Sequence, residues 1–416
     1  MTSSTSTRPD GAQPTRAVLL LVHRIPFPPD KGDKIRSYHL LRHLAARYRV
    51  YLGAFVDDPA DLAHEPALRA LCEEVRLFPI EPRLRRLASL AGLATGEALS
   101  VRFYRDRRAR EWVEGLRTRE RLDAVVTFSS TMAQFVTGAQ WAGTTRVADF
   151  IDVDSEKWRQ YAASGKPPAS WVYGREGRTL LAFERRIALA FTRTLFVSEA
   201  EADLFVRRAP ETRERVGWLS NGVDTDFFDP TADLDDPYPA GGPVAVFTGA
   251  MDYRPNVEAV TWFADEIFPR VLQRRPDARF YVVGSKPTRV VRQLAERTGI
   301  VVTGRVPDVR AYLKFAAVAV APLRIARGIQ KQVLEALAMA RPVVWTSSAA
   351  QSIDSPGSVI VGVEDDPQRF ADATVRAMDS APRADARQLV LQRFSWDSHL
   401  RALDALIDAS PPCVSS

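Results

Sequence analysis

From residue 18 the chain alternates short, nearly unbroken apolar runs with longer stretches in which apolar positions recur at helical spacing. VLLLVH (18–23), VYLGAFV (50–56), VRLFPI (75–80), AVVTFS (124–129), RVADFI (146–151) and TLFVS (194–198) are rich in Val, Leu, Ile and Phe. They show little polar alternation, which predicts strands buried on both faces of a parallel sheet. Helical stretches such as 37–48 and 175–191 lie between them. The pattern restarts after TADLDDPYPAGGP (231–243), whose Pro, Gly and Asp content reads as a linker. The second set of runs is 244–249, 280–285, 301–306, 318–323, 342–346 and 358–362, with helices predicted near 257–275, 288–298, 309–316, 328–340 and 367–380. Alternating β and α elements with right-handed crossovers give an α/β chain of two Rossmann-like, doubly wound parallel-sheet domains facing across a cleft.

The expected division is a disordered tail at 1–16, an N-terminal acceptor domain at 17–230, the linker at 231–243 and a C-terminal donor domain at 244–392. A last helix at 393–410 is expected to pack back on the first domain. In open α/β sheets ligands bind beyond the carboxyl ends of the strands, so the loops there are where chemistry is sought.

The 416 residues are 46% hydrophobic and 26% charged, an ordinary globular balance. No apolar run approaches the roughly 20 residues that span a bilayer, and residues 1–16 lack the apolar core of a signal peptide. Two cysteines exclude a disulfide framework, and the five histidines show no zinc-ligand spacing. The net charge of +6, with RLRRL (83–87) and RDRRAR (105–110) in the first half, favours anions: phosphates, or an anionic membrane surface. Nucleic acid is not expected, because the basic runs lack interleaved aromatics for base stacking.

PFPPDKGDKIRSYHLLRHLA (26–45) follows the first strand and opens a helix. Gly32 permits a tight turn, the exposed N–H groups of the helix start favour an anion, and Lys31, Lys34 and Arg36 add positive charge beside Asp33. In DFIDVDSEKW (149–158) three aspartates follow a strand; Asp152 is the candidate to orient or deprotonate a substrate hydroxyl, an N-terminal helix cap being the competing role for the cluster. In the second half, FTGAMDYRPN (247–256) places Gly249 at a strand end with Arg254 beyond it, VVGSKP (282–287) repeats this with Gly284 and Lys286, and TGRVPD (303–308) with Gly304 and Val306. Such loops let a ligand approach the backbone. APLRIARGIQKQVLEALAMARPVV (321–344) runs from a strand end through Arg324, Arg327, Gly328 and Lys331 into a helix carrying Glu335. A phosphate fits that helix start, and the carboxylate suits vicinal hydroxyls. Neither the dinucleotide fingerprint nor the P-loop occurs at the first strand–helix junction, which argues against a nicotinamide dehydrogenase and a P-loop ATPase.

In this order the motifs PPDKGDKIR, SNGVDTDFF, FTGAMDYRPN and GIQKQVLEALAMARPVV resemble the family 4 retaining glycosyltransferases of the GT-B fold. HRIPFPPDKGDKIRSYHLL with DFIDVDSEKW is most similar to the exosortase-associated bacterial exopolysaccharide group. The resemblance implies a nucleotide-diphosphate sugar held mainly by the second domain. Glu335 matches the second glutamate of the E-x7-E motif, which contacts the donor ribose. Gly304 to Val306 matches the segment flanking the base, and the Gly32 loop the turn near the donor phosphates and acceptor. The chain departs from that pattern at Arg327, where the first glutamate would stand, and at Ala250, where an arginine is usual. Arg254 lies near an expected lysine, and aspartates replace a histidine at 149–152.

The expected activity is therefore transfer of a sugar from a nucleotide-diphosphate sugar to a glycan or lipid-linked acceptor, with retention, in exopolysaccharide biosynthesis. The expected location is cytoplasmic, at the inner face of the membrane. No cofactor or metal is expected, cations and helix starts stabilising the leaving diphosphate. A nucleotide-sugar epimerase of the same fold would consume donor without acceptor, and a decayed homologue would bind without turnover.

Overall fold

The apolar runs of the first half become strands hidden on both faces: β1 (Ala17–Val22), β2 (Arg49–Val56), β3 (Glu74–Pro79), β4 (Ala124–Phe128), β5 (Thr145–Ile151) and β6 (Arg193–Phe196). A short edge strand, β7 (Val216–Trp218), has no apolar run to announce it. These observations come from a computed structural model that describes residues 15–29, 32–324, 330–350 and 362–408. The first sheet has the order β3-β2-β1-β4-β5-β6-β7. The second contains β8 (Val244–Thr248), β9 (Arg279–Val283), β10 (Ile300–Gly304), β11 (Val318–Ala321), β12 (Val343–Trp345) and β13 (Gly362–Val363), ordered β10-β9-β8-β11-β12-β13. Every pairing in both sheets is parallel. The order reverses at β1/β4 in one sheet and at β8/β11 in the other, and those switch points are where loops diverge to leave a crevice.

Six helices position the charged groups of the two units. They are α1 (Gly32–Arg47), α2 (Asp154–Ser164), α3 (Ala169–Ala190), α4 (Arg254–Trp262), α5 (Lys331–Ala338) and α6 (Trp396–Asp408). The single helix predicted over 257–275 is divided: α4 runs into a π-helical turn, Phe263–Ile267, and then a separate helix, Phe268–Arg274. Phe263, Phe268, Phe280 and Phe370 pack with centroids 4.5–6.1 Å apart around that turn, so the register change serves aromatic packing in the C-terminal core.

The chain forms two compact units, residues 1–221 with 399–416, and residues 222–398. The second unit thus begins before the 231–243 segment read as a linker. Phe228 is buried in the C-terminal core, Arg387 donates to the Phe228 and Thr225 carbonyls at 2.6 and 3.2 Å, and the Tyr238 hydroxyl donates to the Tyr312 carbonyl at 2.6 Å. Two aromatic anchors outweigh the Pro and Gly content and tie the segment down. The last helix passes into the first unit at His399. There Asp404 lies 2.9 Å from His43 Nε2 and 3.2 Å from Arg47 Nε, and Arg16 ion-pairs with Asp408 and Asp123. The expected disordered tail lies outside the described residues except for Thr15 and Arg16, and Arg16 is fixed by those pairs. Residues 358–361 of the last predicted strand also lie outside them.

Candidate functional site

In the N-terminal unit the switch point is marked by two rings: His23, just past β1, stacks on Phe128, the last residue of β4, at 5.7 Å and 12°. His23 Nε2 lies 3.6 Å from Asp33 Oδ2, in the first turn of α1. Arg24 Nη1 donates to the same oxygen at 2.6 Å and Arg24 Nη2 to Asp57 at 3.0 Å. The neighbouring His23, then the charge of Arg24, holds the Asp33 carboxyl well below the usual range, against the upward push of burial. His23 Nδ1 is buried and has no partner among the described residues.

Beside this the backbone is strained. Ser129 after β4 and Ile151 ending β5 have φ of +80° and +73°, a left-handed conformation that costs a β-branched residue of order 1–3 kcal/mol. The Ser129 N–H donates to the Asp149 carbonyl at 2.8 Å, and the β5–β6 register shifts between Asp149 and Ile151. The bulge turns Asp149 inward, where it accepts from Arg36 Nε at 2.8 Å and Nη2 at 3.1 Å. Arg36 Nη1 reaches Asn221 Oδ1 at 2.9 Å.

The sequence-predicted groups of this unit are placed as follows. Lys34 and Arg36 are 2% and 3% exposed and belong to buried ion pairs, Lys34 with Asp61 at 2.8 Å. Neither offers its charge to solvent at the helix start, as the density of cations there suggested. Gly32 opens α1, and a Cβ there would meet nothing within 4 Å among the described residues, so packing against them does not demand glycine. Lys31 lies outside the described residues. Asp152 is bound to Lys157 at 2.8 Å, and Asp154 shares that ammonium at 3.1 Å. Burial lowers the basicity of Lys157, but Asp154 and Asp152 outweigh it and hold the ammonium charged. Behind α2, Glu184 is fully buried and accepts from Ser155 Oγ at 2.5 Å. Burial pushes its carboxyl up to about 8.

In the C-terminal unit, the ends of the adjacent strands β8, β9 and β10 each carry a glycine. The Gly249 N–H donates to the Val283 carbonyl at 3.0 Å and the Gly284 N–H to the Gly304 carbonyl at 3.1 Å. A Cβ on Gly284 would lie 1.6 Å from the Gly249 oxygen, so no other residue fits there without moving the backbone, and Gly304 has φ +70°, a left-handed conformation that favours glycine. The loops beyond are cross-braced: the Met251 N–H donates to the Ser285 carbonyl at 2.8 Å, and Asn256 Nδ2 to the Ala250 carbonyl at 3.0 Å. The result is a shelf of close-packed backbone at the strand ends, edged by the Asn256 side chain; Val306 packs partly against the core.

The charged groups read beside that shelf differ in placement. Glu335 on α5 has a 13% exposed side chain, 3.5 Å from Lys331 Nζ, and burial raises its carboxyl pKa against the pull of Lys331. Arg254 is 87% exposed and pairs with Glu258 one turn along its own helix at 2.7 Å, and Lys286 is exposed with Asp252 at 3.4 Å. Both are solvated surface pairs as they stand. Arg324 lies over the Trp262 ring at 5.8 Å. Arg327 and Gly328 lie outside the described residues.

His23, Arg24, Asp57 and the inward turn of Asp149 were missed by sequence reasoning. The one available signal was the position of His23 and Arg24 directly after the first apolar run. Among the described residues no group of three or more His, Cys, Asp or Glu is arranged to hold a metal ion, and no helix is long and apolar enough to cross a membrane.

Solved structures share this architecture over nearly their whole length. A glycosyltransferase from Rickettsia africae aligns at TM-score 0.56 and 12% identity, over 94% of this chain and 98% of that one. HepE from Anabaena, solved with UDP and glucose, aligns at TM-score 0.55 and 14% identity, over 94% and 99%. A TarM variant from S. aureus, solved with fondaparinux, alpha-GlcNAc-glycerol and UDP, aligns at TM-score 0.56 and 10% identity, over 95% and 100%. No curated protein sequence matches the chain. The two parallel sheets are those of the GT-B fold. Residues 242–380, most of the C-terminal unit, match the family described as "Glycosyl transferases group 1", and with that domain on this fold the chain is a glycosyltransferase.

Proposed function

We propose that the chain transfers a sugar from a nucleotide-diphosphate sugar to a glycan or lipid-linked acceptor, the C-terminal unit holding the donor. The observation that carries this reading is the Gly249–Gly284–Gly304 shelf in the domain matched to the glycosyltransferase family. Bare backbone at three neighbouring strand ends admits a base or diphosphate where side chains would exclude it. Glu335, with most of its carboxylate withdrawn from water, suits a ribose diol, since accepting two hydroxyl donors satisfies a group that is otherwise costly to bury. HepE and the TarM variant were both solved with UDP, which supports a nucleotide-linked donor here. The variant's glycan-like ligands support a saccharide acceptor.

On the acceptor side, Asp152 and His23 are the two groups able to take a hydroxyl proton. His23 stacks one face on Phe128 and turns Nε2 toward Asp33 with Nδ1 buried, so Asp152 is the more accessible of the two. Metal independence is read from the paired aspartates: Asp152 and Asp154 already share a cationic partner, Lys157, so EDTA should leave turnover unchanged. Retention of configuration, a role in bacterial exopolysaccharide synthesis and a peripheral position at the cytoplasmic face of the membrane follow the motif resemblance and the basic first half. Proton NMR of the anomeric centre tests the first of these, and an inverted product removes it.

The activity test is release of nucleoside diphosphate from a panel of nucleotide-sugars, with and without lipid-linked and oligosaccharide acceptors. Acceptor-dependent release from one donor is the expected result. Donor consumption without acceptor, yielding an epimeric nucleotide-sugar, would replace this reading with an epimerase.

A further inference from the structure

The helix Pro82–Ser89 is inside out. Its one buried residue is Ser89, while Leu84 and Leu87 are 65% and 66% exposed, and Leu90 and Leu93 beyond it 48% and 45%. Burying a leucine contributes about 1.5–3 kcal/mol, so four left in water at a three-residue repeat form a patch that folding of this chain does not cover. Arginines interleave with them. Arg85 is engaged by Asp106 and the Arg105 carbonyl, but Arg83 and Arg86 are exposed and have no ion pair among the described residues.

A second element extends the patch. Arg175 on α3 donates to the Gly92 carbonyl at 2.5 Å and to the Glu97 carbonyl at 3.2 Å, and Glu176 accepts from the Leu99 and Ser100 N–H groups at 2.7 and 2.8 Å. These bonds hold α3 against the leucine segment. Trp171 stands one turn before Arg175, on the same side of the helix, and is 71% exposed, the most exposed large apolar residue among those described.

We propose that the Leu84–Leu93 segment and Trp171 form a docking surface for an anionic lipid bilayer. Leucines at helical spacing with arginines between them are the pattern of a helix lying in a membrane interface. Tryptophan is the side chain that settles at headgroup depth, and unpaired arginines complement anionic lipid. A second copy of the chain fits less well, because a protein contact there would bury two arginines that have no ion pair among the described residues. The proposal rests on the peripheral membrane placement of the proposed function and is independent of sugar transfer.

The test is sedimentation of the full chain with vesicles of phosphatidylcholine alone or mixed with phosphatidylglycerol, without donor or acceptor. Wild type is expected to pellet with the mixed vesicles and to be released by salt. L84E/L87E should lose at least about tenfold in partitioning, and R83A/R86A about tenfold on mixed vesicles only. All the substituted positions are exposed, and matching circular dichroism melts of the variants verify their folding. Wild type left in the supernatant with mixed vesicles overturns the proposal. So does L84E/L87E pelleting like wild type, or a wild-type dimer by sedimentation velocity that L84E/L87E dissociates. Nucleotide binding is measured on the same samples; its absence would sink the transferase reading and leave this one standing.

Discussion

Gly284 and Gly249 approach so closely that a methyl group on the first would lie 1.6 Å from the carbonyl oxygen of the second. The obstacle is backbone, held by the Gly249–Val283 and Gly284–Gly304 hydrogen bonds, so no side-chain rotation relieves it. Gly284→Ala should cost about 2 kcal/mol or more and abolish nucleotide binding. Urea unfolding and calorimetric titration with nucleoside diphosphates check both effects. Unchanged stability would show that the strand ends can part freely.

The Arg36–Asp149 pair is a second point of dependence. Its side chains are 3% and 4% exposed, and removal of one partner strands the other charge. Arg36→Ala or Asp149→Ala should each destabilise by about 3–5 kcal/mol, whereas Arg36→Met with Asp149→Leu should recover much of the loss. Equilibrium urea melts of the three variants decide the matter, and a double variant that loses the sum of the two single losses would deny the coupling.

Glu184 gives a pH dependence with a definite sign. Its folded carboxyl titrates at about 8, above its ordinary value of about 4.3. Between those values the folded form holds a proton that the unfolded chain has released, so this group makes stability fall as pH rises from about 4 to about 8. The lowered Asp33 carboxyl acts in the opposite sense and in a separate window, its contribution being lost as pH falls below the ordinary carboxylate range. Glu184→Gln should remove the fall on the alkaline side and exceed wild type near pH 8 by a few kcal/mol, each pH unit between the two values contributing about 1.4 kcal/mol. Parallel melts from pH 5 to 9 measure it. Curves of identical slope would place Glu184 in contact with water.

Glu335→Gln separates binding from folding. The amide loses the charge that burial disfavours, so the variant should melt at or above the wild-type temperature near neutral pH. It accepts hydroxyl donors more weakly than a carboxylate, and donor affinity should fall about tenfold, roughly 1.4 kcal/mol. Titration calorimetry with the nucleotide-sugar that binds wild type provides the comparison. Equal affinity would remove Glu335 from the donor site.

Both sheets were legible because strands buried on two faces must be continuous apolar runs, and β1, β4 and β8 show no exposed residue at all. β7 was missed because three residues at a sheet edge, ending in the exposed Trp218, carry no such run. The glycines of the shelf were legible for a related reason: a glycine directly after a buried strand marks a close approach. The partners of Lys34 and Arg36 were not, since Asp61 and Asp149 lie 27 and 113 residues away and sequence charge density does not reveal long-range pairing. His23 was read as the end of a strand, and only the stacking on Phe128 shows that it turns toward the switch point. The segment at 231–243 was read by composition alone, where Tyr238 inside it and Phe228 just before it are held to the C-terminal unit.

The central claim is that the C-terminal shelf holds the donor nucleotide. Hydrogen–deuterium exchange of the full chain with and without a bound nucleoside diphosphate tests it most directly. Protection is expected at residues 249–256, 284–288, 304–306 and 331–338, with little change along β1 to β3. Protection confined to the N-terminal unit, with those four segments exchanging as in the free protein, would contradict it.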